Sequence, residues 1–134
     1  MTDVIVLDAS AVVEWLLGLP RAEAVGDRIR SNEQSLHAPH LLAVEVAQVV
    51  RRFVAAGDMT PQRGADALVD LADLDVFRHE HEPLLPTIWR LRSNLTAYDA
   101  TYVALALALD APLLTLDRRL AAAAAHGATI ELIT

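Results

Sequence analysis

The chain has 134 residues, 54% of them hydrophobic and 22% charged. A chain of that size and composition buries roughly two thirds of its unfolded surface without staples, so residues 1–134 read as a single globular domain. It has no cysteine, which excludes disulfides, thiolate metal sites and a cysteine nucleophile. All 11 basic residues are arginine, set against 18 acidic ones for a net charge of −7. The lack of lysine removes P-loop and Schiff-base chemistry. The acidic balance argues against a groove that holds nucleic acid by charge alone, though not against a nuclease whose local charge is offset by metal ions.

Val4-Ile5-Val6-Leu7 is a short β-branched run that predicts a buried strand, and Asp8-Ala9-Ser10 opens a helix over Ala11–Leu17. A second helix is expected over Ala22–Arg30, then a weak strand over Ser35–Ala38 stopped by Pro39. His40–Ala56 is a long apolar-rich helix ended by Gly57. Thr60 and Pro61 have the cap and first-turn chemistry of a helix running to about Asp73. Val76–His79 reads as a strand and Pro83–Leu95 as a helix. In Tyr98–Leu109, the alternation of Leu105, Leu107 and Leu109 suits a strand, but the interleaved alanines and the length favour a helix buried all round. Asp110-Ala111-Pro112 is a turn. Leu113–Leu116 is a strand followed by Asp117, Leu120–Ala125 a helix capped by Gly127, and Ile130–Ile133 a last strand.

Strands alternating with helices predict an α/β fold with a mostly parallel sheet, in which ligands bind off the carboxyl ends of the strands. Asp8 and Asp117 each follow an apolar strand. Each is open to two readings, a helix N-cap or a site carboxylate. Asp99 closes a Thr96-x-x-Asp99 helix start and alone reads as a cap residue. Glu45 differs: its helical neighbours are Leu41, Leu42, Gln48 and Val49, and a carboxylate among apolar side chains demands a partner. Hard divalent ions take oxygen ligands, and one or two of them held by such acids would activate a water and neutralise phosphoryl charge. Without metal, clustered acids repel one another and their pKa values rise. Ser10 and Thr115, each two residues from an acid, are candidate supporting hydroxyls, or simply a helix-start and a strand hydroxyl.

These residues bring a family into view. Val6-Leu7-Asp8-Ala9-Ser10-Ala11, the helical His40–Val46 with Glu45, Tyr98-Asp99-Ala100-Thr101-Tyr102, and Leu114-Thr115-Leu116-Asp117-Arg118 resemble, in order and spacing, the motifs of PIN-domain ribonucleases of the VapC toxin type. The resemblance implies a three-layer α/β/α sandwich around the parallel sheet. It implies that Asp8, Glu45, Asp99 and Asp117 are catalytic and bind Mg²⁺ or Mn²⁺. It further implies an endoribonuclease toxin that cleaves structured RNA, tRNA or rRNA, forms a homodimer and is inhibited by a cognate antitoxin protein. Some members carry a further acid after the fourth motif; here Arg118 and Arg119 follow Asp117.

Candidate phosphate contacts are Arg51, Arg52, Arg90, Arg92, Arg118 and Arg119, with Arg118 foremost for its place beside Asp117. The histidines at 37, 40, 79 and 81 read as exposed loop residues rather than a zinc site. Trp15 reads as core or as part of a patch that receives an antitoxin helix; Trp89 and Phe53 read as core or dimer interface. A phosphatase using Asp8 as nucleophile is disfavoured by Ser10 at the second-acid position and by the missing lysine. A catalytically silent PIN-like scaffold that only binds RNA or protein is the alternative from another class. The first four residues lack a positive signal-peptide start, and Ala100–Leu109 is too short to span a bilayer. A cytoplasmic protein with no membrane partner is therefore expected.

Overall fold

The computed structural model describes residues 3–31, 33–122 and 126–134. In chain order the elements are β1 (Asp3–Leu7), α1 (Ala9–Leu16), α2 (Ala22–Arg30), β2 (Gln34–Pro39), α3 (Leu41–Ala55), α4 (Pro61–Asp73) and β3 (Val76–His79). A 3₁₀ turn (Glu82–Leu84), α5 (Leu85–Arg90), α6 (Ala97–Leu109), β4 (Leu113–Thr115), α7 (Arg118–Ala121) and β5 (Ile130–Leu132) follow. The strands form one sheet in the order β3-β2-β1-β4-β5, and every pairing is parallel.

A parallel sheet needs both faces covered, and the alternation in β1 meets that need. Ile5 and Leu7 are fully buried against α1, α2 and α3, while Val6 is fully buried in a second core built around α6. The alternation of Leu105, Leu107 and Leu109 is therefore helical after all. Ala100 to Ala106 are buried without a break, because α6 is the central helix of that second layer. It ends where Asp110 turns left-handed at φ 48°. On the other face α3 and α4 touch closely: a Cβ on Gly64 would stand 3.1 Å from side-chain carbons of both Val50 and Val54.

Three expectations need correction. Pro83–Leu95 is not one helix; it breaks into the 3₁₀ turn, the short α5 and a turn beyond Arg90. Pro83 and Pro86 withhold two backbone donors there, so a long regular ladder cannot form. Trp89 is not core: it is 68% exposed, and its ring carries the Arg92 guanidinium 4.6 Å above its centre. The helix near the C-terminus starts earlier than Leu120, at Arg118; residues 123–125 of that expectation lie outside the described residues. Trp15 and Phe53 are half-buried and pack on the α1–α4 core.

Candidate active site

The strand order reverses direction at β1. From it the chain moves outward to β2 and β3, and later returns on the other side as β4 and β5. Such a switch point leaves a crevice at the carboxyl ends of the two central strands. Leu7 pairs with Leu114 across it, so Asp8 leaves β1 directly beside Thr115.

Asp8 takes an extended backbone and caps α1, its Oδ1 accepting the Ala11 N–H at 3.0 Å. The Ser10 hydroxyl donates to the same oxygen at 2.7 Å, and the Thr115 hydroxyl donates to Oδ2 at 2.5 Å. The two hydroxyls also accept backbone donors, Ser10 Oγ from Leu116 N–H at the end of β4 and Thr115 Oγ1 from its own neighbour Asp117 N–H, both at 3.0 Å. Ser10 and Thr115 thus form a clasp that locks Asp8 and ties the end of β1 to the end of β4. Asp8 is only 5% exposed. Burial pushes its pKa up to about 6, against the pull of the Thr115, Ser10 and Ala11 hydrogen bonds, and the charge of Asp117 adds to the rise.

Asp117 caps α7, with Oδ1 accepting the Arg119 N–H at 2.9 Å and the Arg119 guanidinium 3.8 Å away. For Asp8 and Asp117 the cap reading therefore holds, and capping leaves both carboxylates at the crevice. Asp99 stands in the first turn of α6, where Thr96 is the N-cap and accepts the Asp99 N–H at 3.2 Å. Burial raises its pKa, Asp117 raises it further, and Arg119 and Thr96 pull it back. Asp8 and Asp99 thus both feel the charge of Asp117.

Glu45 comes from α3, on the opposite layer from α6. Among the described residues its Oε1 and the Tyr102 hydroxyl are the buried side-chain polar atoms with no hydrogen-bond partner. Tyr102 is 2% exposed, and its pKa is pushed up first by burial, then by the adjoining Glu45 carboxylate, then by the charges of Asp8 and Asp99. Through Tyr102 the fourth acid is linked to the other three. Sequence reasoning quoted Tyr102 inside a motif but gave it no role. The available signal was its spacing: three residues after Asp99 on a helix, on the same face.

Carboxylate oxygens suit a hard divalent cation, and the partnerless Glu45 Oε1 is a buried donor atom of that kind. Among the described residues no three Asp, Glu or His side chains converge as a ligand set. By donor chemistry alone these carboxylates are compatible with a hard divalent cation such as Mg²⁺, which uses one or two carboxylates and keeps several waters.

Arg118 is exposed beside Asp117, and Arg119 extends its side chain almost entirely into solvent. Arg51, Arg52, Arg90 and Arg92 are exposed but lie on α3 or around α5. His40 is exposed in a turn and His81 lies outside the helices and strands, as expected, but His37 and His79 are not loop residues. His37 and His79 lie on adjacent strands, half-buried, with His37 Nδ1 2.8 Å from His79 Nε2 and the Ser35 hydroxyl 2.9 Å from His37 Nε2. His81 Nε2 accepts the Leu41 N–H at 2.8 Å and so caps the helix that carries Glu45.

The PIN domain family model matches residues 5–126. The chain is 45% identical over 132 residues to Ribonuclease VapC1 of Mycobacterium tuberculosis, covering 98% of each chain. To Ribonuclease VapC12 of the same species it is 40% identical over 129 residues, covering 96% of this chain and 98% of the relative. The fold is shared with VapBC2 from Rickettsia felis, solved with a DNA fragment from its promoter, at a TM-score of 0.70, 11% identity and coverage of 98% and 99%. The chain belongs to the PIN-domain family. Its near full-length relatives place it, within that family, among the VapC proteins.

Proposed function

We propose that this chain is a metal-dependent endoribonuclease toxin, acting in the cytoplasm on structured RNA and held in check by a cognate antitoxin. The observation that carries the reading is Asp8, buried at the carboxyl end of β1 and locked by Ser10 and Thr115, with the charge of Asp117 acting on both Asp8 and Asp99. A chain 45% identical to a protein named as a ribonuclease supports it, and so do relatives of the same fold solved as VapBC pairs.

When bound, Mg²⁺ or Mn²⁺ supplies an activated water and positive charge against the phosphate. Asp8, locked by Ser10 and Thr115, supplies a fixed carboxylate that needs no reorganisation. Asp99 on α6 and Glu45 on α3 are ligand candidates beside it. Asp117, partly offset by Arg119, adds negative charge that acts on Asp8 and Asp99 and is a further ligand candidate. Burial and mutual repulsion favour protonation of Asp8 and Asp99 while the pocket lacks a cation, so the acids gain most by taking one up. Arg118, exposed next to Asp117, is the candidate phosphate contact.

The antitoxin partner and a homodimer belong to the same proposal. Exposed apolar side chains at Phe77, Leu85, Trp89 and Tyr98 offer surface for protein contacts. The test is cleavage of total RNA by the purified, antitoxin-free protein in EDTA, Mg²⁺ and Mn²⁺, beside Asp8→Asn and Asp99→Asn. Discrete fragments are expected that require metal and fall at least about a hundredfold in each variant, the scale set by loss of one preorganised charged group. Folded protein that neither binds metal nor cleaves leaves the silent scaffold as the function.

A further inference from the structure

We propose that Tyr102 is a positioning residue for Glu45: its hydroxyl donates to Glu45 Oε1 and so fixes the orientation of that carboxylate. This deepens the metal-dependent reading of the same site and rests on it. The two buried polar atoms that lack a partner are one donor and one acceptor, and they belong to neighbouring groups. A phenol carries one donor hydrogen, and an ionised carboxylate only accepts, so the two are complementary. A buried donor and a buried acceptor left unmade each lose the hydrogen bonds they made to water, so a small side-chain adjustment that joins them is favoured.

The scaffold suits such a role. Tyr102 lies in the unbroken buried run Ala100–Ala106 of α6, so its ring is clamped by the core and cannot swing. Glu45 rises from α3 among Leu42, Val46 and Val49, which offer it no polar partner. A phenol titrates at about pH 10 in water, so its hydroxyl is a donor at neutral pH. Second partners of this kind tune metal sites by about 10–100-fold in affinity.

The experiment pairs Tyr102→Phe, which keeps the ring that fills the core, with Glu45→Gln and the double variant. Mn²⁺ affinity is read by titration calorimetry and the hydroxyl proton by NMR on metal-free protein. Tyr102→Phe is expected to weaken Mn²⁺ binding about tenfold with the fold intact, and to have no further effect once Glu45 is Gln. A slowly exchanging tyrosine hydroxyl proton is expected in the wild type, absent from Tyr102→Phe and shifted in Glu45→Gln. Unchanged Mn²⁺ affinity in folded Tyr102→Phe, or no such proton, overturns the assignment. If the wild type itself takes up no Mn²⁺, the metal reading fails, and the proton alone decides the Tyr102 contact.

Discussion

Two groups of carboxylates in this molecule meet burial in opposite ways. Near the start of β1 and β2, Glu131 accepts two hydrogen bonds from Arg28, at 2.5 and 2.8 Å, and Arg28 also donates to Gln34 at 2.8 Å. The guanidinium ties α2 to β5 and to the start of β2, and its own pKa rises chiefly through the Glu131 hydrogen bond. At the other end, burial and the charge of Asp117 raise the pKa of both Asp8 and Asp99, and the Arg119 guanidinium stands 3.8 Å from Asp117. Charge in the first group is neutralised within the fold. In the second it is left over, and the strain of that surplus is relieved by protonation or by a cation from outside. The lesson is that unmatched burial, rather than the mere presence of acids, separates a working site from a structural ion pair.

The sharpest test of that contrast is Asp8→Asn in metal-free buffer. The folded pKa of Asp8 is raised from 3.8 to about 6, so the folded state disfavours the charged form. The penalty is absent below the unfolded pKa, grows as pH rises through the interval, and is complete above about 6. Removing the charge should therefore stabilise the protein at pH 7.5 by up to about 3 kcal/mol, less whatever the altered hydrogen bonds take back. The gain should vanish as pH falls toward 4. Denaturant melts across that range give the answer, and a variant less stable than wild type at pH 7.5 would break the comparison.

Arg28→Met probes the matched group and should behave oppositely. It leaves Glu131 without its partner and is expected to lose about 1–2 kcal/mol, with RNA cleavage per folded molecule unchanged. Equal loss of cleavage and stability would mean that the two regions are coupled. The smallest effect is expected from Arg118→Ala. An exposed phosphate contact should weaken RNA binding severalfold and lower the slope of log affinity against log salt by about one contact, measured by filter binding at several salt concentrations.

Much of this was legible along the chain. Thr60 does accept the Arg63 N–H at 3.1 Å, and Thr96 the Asp99 N–H, because hydroxyl caps act within one turn and need no tertiary partner. The parallel sheet follows from the alternation of short strand segments with helices, of which only β1 is a strongly β-branched run. Other features were not legible. Trp89 looked like core because apolarity does not say whether a neighbour exists. The α5 region broke up because its two prolines outweigh the helical periodicity around them. Tyr102 carried no role in the sequence because Glu45, the acid proposed as its partner, is 57 positions away.

Local order was decided by the sequence alone: the caps, the strand that delivers Asp8, the helix that carries Glu45 and the excess of acid over base. These depend on spacing and side-chain chemistry within a few residues. Tertiary structure decided which charges are matched. Arg28 reaches Glu131 across 103 residues, Thr115 reaches Asp8 across 107, and among the described residues the buried Tyr102 hydroxyl and Glu45 Oε1 are left without a hydrogen-bond partner. Electrostatic energy in a folded protein depends on separation and burial in space, and neither quantity is local in the chain.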